Sequence, residues 1–179
     1  MNSPNIDARP VPGDLATAIE QIRVYSLPVT NALEYVSKRA DASDASPRVI
    51  HAWTVTRDLL RAVSDRYDGV AAILRGEQPE PPCVNEDINA EKLSDNLGPL
   101  EHIVAGWRQF TAGKWQATKQ TDEIWTSVLS RSERISPENQ ERLSTFAADR
   151  RDLEAADERL NAALEYLWRN GAQGPEGDD

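Results

Sequence analysis

Apolar residues recur at alternating steps of four and three through almost the whole chain, and this constrains the fold more than any other feature. The period of 3.5 to 3.6 is that of a helix burying one face, and no stretch alternates as a half-buried strand would. The cleanest series is Val49, Trp53, Thr56, Leu60, Val63, Tyr67, Val70 and Leu74, widened toward a core-facing stripe by Ile50, Leu59 and Ile73. Ser46-Pro47 before it reads as an N-cap with proline at the first helical position, and Gly76 reads as its stop.

An earlier series runs Leu15, Ile19, Ile22, Ser26, Val29, Leu33, Val36, Ala40, with Asp14 or Thr17 at its start. Pro28 falls inside it. The seam keeps phase across the proline, so a kink near Leu27 is expected rather than two helices. A third helix begins near Asn89 with Leu93, Leu97, Leu100, Val104 and Trp107, and Gly98-Pro99 marks a kink or restart. Its seam then turns polar at Thr111, Lys114, Thr118 and Thr121 before Trp125 and Val128. Two options follow: one long helix with a weak middle, or two helices broken between 111 and 121, which Gly113 favours. The fourth helix opens at Ser136-Pro137, carries Leu143, Phe146, Leu153, Leu160, Leu164 and Leu167, and ends at Asn170-Gly171. Arg150 and Asp157 also fall on its seam. They are expected to rotate to solvent, with Ala156 and Ala163 closing the gap.

Between the second and third helices lies "GEQPEPPCVNEDINAEK", with three prolines and the only cysteine. Residues 77–95 carry six acids against one lysine. The expected fold is all-α: an elongated four-helix bundle of two helical hairpins, 14–76 and 90–171, joined by this proline- and acid-rich connector, 77–89. The connector is long enough to run the length of the bundle or to loop at one end, and its composition keeps it out of the core. Residues 1–13 read as a flexible segment and 172–179 as a disordered acidic tail.

The chain has a net charge of −10 over 179 residues, which argues against direct binding to a phosphate backbone. No run is long and apolar enough to span a bilayer, and the N-terminus has no signal-peptide pattern, so a cytoplasmic protein is expected. Cys83 cannot form an intramolecular disulfide and sits among acids that would raise a thiol pKa.

No catalytic, cofactor-binding or metal-binding residue can be assigned. His51 and His102 are isolated in sequence and are expected to be partly buried structural residues. The three histidines of a DinB-like metal site cannot be supplied by two. Arg48 is too close to His51 for the HEPN nuclease motif. None of the five tryptophans lies in the Trp-x-Gly turn of the small helical-hairpin secretion substrates. Paired acids on the fourth helix, Asp149 with Asp152 and Glu154 with Asp157 and Glu158, sit among Arg150, Arg151 and Arg159 and read as a solvated face.

Trp53, Trp107 and Trp125 lie on seams and read as core anchors, and Trp168 is placed to cover the bundle's end. Trp115 stands in the most polar stretch of the third helix, between Lys114 and Lys119. Those three residues are the candidate partner-binding site, since tryptophan is enriched at binding hot spots. The expected function is a non-enzymatic interaction module, an adaptor or subunit whose partner is another protein or a second copy of itself. No nucleic acid, membrane, cofactor or small-molecule substrate is implied. One alternative is an acidic inhibitor or nucleic-acid mimic, which requires the acids of the fourth helix and the connector to form one face. Another is a helical-bundle enzyme with a site the sequence does not reveal.

Overall fold

A computed structural model describes residues 13–41, 45–83, 88–129 and 135–172. The described residues form four helices: α1 (Gly13–Ala40), α2 (Pro47–Arg75), α3 (Ala90–Leu129) and α4 (Pro137–Arg169). The helix ends follow local chemistry. Ser136 accepts from the Asn139 amide through its hydroxyl at 3.3 Å, with Pro137 behind it. Ser46 has the same extended backbone before Pro47 but makes no side-chain cap, its carbonyl alone taking the amides of Val49 and Ile50. At α3 the cap is Asn89, whose Oδ1 accepts from the Lys92 amide. Gly76 ends α2 in the left-handed region, φ 81°. Its amide bonds to Ile73, and the Glu77 amide bonds to Ala72.

Neither proline nor Gly113 breaks its helix, and at Pro28 a single helix is what the unbroken seam led one to expect. α1 runs unbroken through Pro28, and the helix passes it on the solvent side: Pro28 is exposed, as is Val24, whose carbonyl loses its helical donor. α3 runs unbroken through Pro99 and Gly113 for 40 residues, about 60 Å at 1.5 Å per residue. Of the two options for its polar stretch, the continuous helix is the one formed. A glycine in a helix costs only about 1 kcal/mol, and tertiary ties offset it. Lys114 reaches both carboxylate oxygens of Asp14 on α1, at 2.7 and 2.9 Å.

α1 packs on α2 and α3 on α4, giving the two hairpins, which join chiefly through α2 and α4. Long-range bonds fix the directions. Arg66 on α2 donates to the Asn170 carbonyl at the end of α4 (2.8 Å), and Arg159 on α4 donates to the Leu74 carbonyl at the end of α2 (3.1 Å). Each arginine thus satisfies a C-terminal carbonyl of the other helix and meets the negative end of its dipole. Burial lowers the Arg66 pKa, and its second bond, to the Ala62 carbonyl, shares the charge with the backbone. Trp168 to Glu101 ties α4 to α3, and Trp107 to Gln21 ties α3 to α1. Every neighbouring pair around the bundle is therefore antiparallel, and α2 and α3 run parallel across a diagonal.

A parallel pair needs a connection that returns the chain to its starting end. The connector does this by doubling back along α2, where the Cys83 amide donates to Asp65, and Ile88 then packs against the core. Its described residues follow α2 back as far as Asp65, and residues 84–87 lie outside the described residues.

The hairpins are staggered. The core is built from Leu15, Ala18 and Ile22 of α1, 62–74 of α2, 93–104 of α3 and 156–167 of α4. Outside this waist, among the described residues, only Val36 and Leu129 of the large apolar side chains are buried. The far half of the first hairpin and the far half of the second therefore project as two-helix arms. The α2–α4 crossing is close because Gly69 has no side chain: a Cβ there would overlap the Tyr166 ring. Ala156 and Ala163 are buried in the waist and Arg150 points to solvent, where it pairs with Asp122.

Candidate interaction surfaces

The three residues singled out by sequence do not share one face. Lys114 points toward α1, held by Asp14, with its Nζ 4.8 Å from the centroid of the Phe110 ring. Trp115 lies on the other side of α3, half-buried in an apolar recess of about 330 Å³ bordered by Ala112, Glu154, Asp157 and Glu158 of the α3–α4 groove. Lys119, one turn on, lies 5.3 Å above the Trp115 ring. Trp115 and Lys119 are thus brought together, and Lys114 belongs to a different surface.

That surface is the α1–α3 groove. Gln21 and Tyr25 come from α1, and His102, Ile103, Gly106, Trp107 and Phe110 from α3, enclosing about 390 Å³. The Trp107 and Phe110 rings meet edge to face at 5.5 Å, and Trp107 donates its indole N–H to Gln21. Tyr25 is 50% exposed and Phe110 is 48% exposed, although Ile22 and Thr111 close by on the seams are buried. Neither aromatic was singled out from sequence. Both stand beside a seam rather than on it, next to Ser26 and Thr111.

The histidines correct the sequence expectation. Both are exposed, His51 on the outer side of α2 and His102 at the rim of the α1–α3 groove. Each flanks an apolar stripe without falling on it, so neither is carried into the interior. The tryptophans also divide. Trp107 and Trp168 pack against the core, whereas Trp53 and Trp125 lie in the arms and are only half-buried. Trp53 meets the Tyr35 ring edge-on, and Arg142 covers Trp125.

Electrostatically the acids are divided. Glu77 and Glu80 of the connector lie with Asp65 and Asp68 over α2. Burial, and then the neighbouring Asp65, raise the Asp68 pKa. Asp149 and Asp152 face the start of α1, and Glu154, Asp157 and Glu158 border the Trp115 recess. Arg159 stands between the connector and α4, on the end of α2. Cys83 is exposed in the connector. Among the described residues no group of three or more His, Cys, Asp or Glu is placed to hold a metal, and no helix is long and apolar enough to cross a membrane. Comparison with family models, with curated proteins and with solved structures finds no match.

Proposed function

We propose that this protein is a non-enzymatic interaction module, an adaptor or a helical subunit of a larger assembly, and that the α1–α3 groove is its principal contact face. The observation that carries this reading is the pair of half-exposed aromatics, Tyr25 and Phe110, around a groove floored by Gly106 and Trp107. Large aromatics at the centre of a concave apolar surface are what anchor protein partners, because they bury much area with little loss of side-chain freedom. Lys114 at the rim holds Phe110 in place and adds one charge to the edge. Trp115 and Lys119, on the far side of α3, supply a second and smaller contact. The division of the acids into separate groups favours this reading over an acidic mimic, which needs one continuous negative face.

The test is affinity capture from the native host with quantitative mass spectrometry, comparing the wild type with Tyr25→Ala/Phe110→Ala and with Trp115→Ala. Both aromatics of the double variant are about half exposed, so its fold should be retained. The expected result is selective loss of a specific partner from the double variant and weaker loss from Trp115→Ala. Undiminished capture by the double variant would move the contact face elsewhere.

A further inference from the structure

The first arm, formed by α1 beyond Val29 and α2 before Leu59, leaves open the very face that the waist covers. In the waist, α2 presents Ala62, Val63, Arg66, Gly69 and Val70 to the interior. One and two heptads earlier the same positions are Arg48, Val49, Ala52, Val55, Thr56 and Leu59, an apolar stripe with Arg48 at its N-terminal edge. Val49 is in register with Val63 and Val70, and Val55 with Ala62 and Gly69, which packs under Tyr166 of α4. Among the described residues no third helix lies against them in the arm, and Val49 is 44% and Val55 42% exposed. An interface that is closed at one end of α2 is therefore open at the other.

We propose that a second copy of this chain covers this face, so that two first arms join about a two-fold axis through Ala52 into an intermolecular four-helix bundle. Three observations point to a second copy as the occupant. The stripe Val49, Ala52, Val55 is its own complement when two α2 helices run antiparallel: Ala52 meets Ala52 of the other copy, and each Val49 meets a Val55. The small central residue lets the backbones come close, as Gly69 does at the α2–α4 crossing. The hairpin is also already built to be packed this way, because every neighbouring pair in the waist is antiparallel and a two-fold repeats that order.

Charge gives the third observation. Residues 26–61 carry five basic and four acidic side chains, within a chain of net charge −10. Two copies meeting at their waists would bring two strongly negative bodies together, whereas two first arms meet almost neutral. The open face is short, at the small end of the range for specific interfaces, so the dimer should be concentration-dependent with a Kd on the order of micromolar.

Sedimentation velocity of the full chain across a concentration series tests this. The wild type should pass from monomer to dimer, and Val49→Asp/Val55→Asp should remain monomeric with its helical circular dichroism intact, the Kd rising by at least about a hundredfold. Tyr25→Ala/Phe110→Ala, which alters the α1–α3 groove, should dimerise as the wild type does. A second readout is independent of how the charged variant folds. In a Cys83→Ser background, Ala52→Cys should form an intermolecular disulfide in the dimer, and Ala147→Cys on the second arm should not. The proposal is overturned by a wild type that stays monomeric to about 100 µM, well above the dissociation constants of specific pairs. It is equally overturned by a dimer indifferent to the two aspartates, or by Ala147→Cys cross-linking as readily as Ala52→Cys.

Discussion

Leu97 and Leu143 are the same side chain on the two helices of one hairpin, yet they live differently. Leu97, in the waist, is 0% exposed, with residues of the other three helices in the same cluster. Leu143, in the second arm, stays half-buried. The same contrast separates Val63 from Val49 along α2. Apart from Val36 and Leu129 near the arm ends, the large apolar side chains described are buried only where a third and fourth helix arrive. In a two-helix arm one partner shields one flank and leaves the other to solvent. Stability should therefore be concentrated in the waist, and the arms should hold the surface available for association.

The largest expected effect breaks or upholds that contrast directly. Leu97→Ala should cost about 2–5 kcal/mol of unfolding free energy, the usual range for a fully buried leucine. Leu143→Ala should cost less than about 1.5 kcal/mol, since much of its surface is already in water. Equal costs by chemical denaturation would mean that the arms are as well packed as the waist. Next comes the α2–α4 crossing. Gly69→Ala places a methyl group against the Tyr166 ring and should cost about 1–3 kcal/mol through overpacking. Tyr166→Phe should cost nothing or stabilise slightly, because the Tyr166 hydroxyl is buried without a hydrogen-bond partner among the described residues. A loss with Tyr166→Phe would show that the hydroxyl is satisfied within the folded protein.

The reciprocal arginines sharpen the comparison within the waist. Arg66 is 5% exposed and holds two backbone carbonyls, so Arg66→Met should cost about 1.5–3 kcal/mol. Arg159 is half-buried with one such bond, and Arg159→Met should cost about 1 kcal/mol.

What was legible in the sequence was local. Ser46-Pro47, Gly76, Ser136-Pro137 and Asn170-Gly171 mark helix ends because the chemistry of an end is decided within a few residues. The all-helical class and the two hairpins follow from period and turn length in the same way. The continuity of α3 was not legible, because it rests partly on the bond from Lys114 to Asp14, 100 residues away. The stagger was hidden for the same reason. The apolar repeat of α2 is as regular at Val49 as at Val63, and only pairs such as Arg66 with Asn170 set how far the hairpins overlap. His51 and His102 lie beside apolar stripes, and their distance from the seam's centre decided exposure more than their neighbours did. Tyr25 and Phe110 stand beside their seams, a signal different from the polar stretch that marked Trp115. What that signal lacked was the groove between helices that the sequence does not bring together.

The smallest expected effect is a pH dependence at the edge of the waist. With its folded pKa raised, Asp68 binds a proton more tightly in the folded than in the unfolded chain. Its contribution to stability therefore falls as pH rises from the ordinary carboxylate range toward the raised value. Asp68→Asn should raise the melting temperature slightly at neutral pH and leave it unchanged in acid, and a reversed order would contradict the assigned direction.

Backbone hydrogen exchange, followed segment by segment, tests the central claim most directly. It should be run on Val49→Asp/Val55→Asp, so that no second copy protects the first arm. Amides of 62–74, 97–104 and 156–167 should exchange only through global unfolding, whereas those of 30–40, 48–56, 119–128 and 139–148 should open locally and exchange orders of magnitude faster. Uniform protection from the arms through the waist would contradict the account, because it would require a third and fourth helix where the structure places only two.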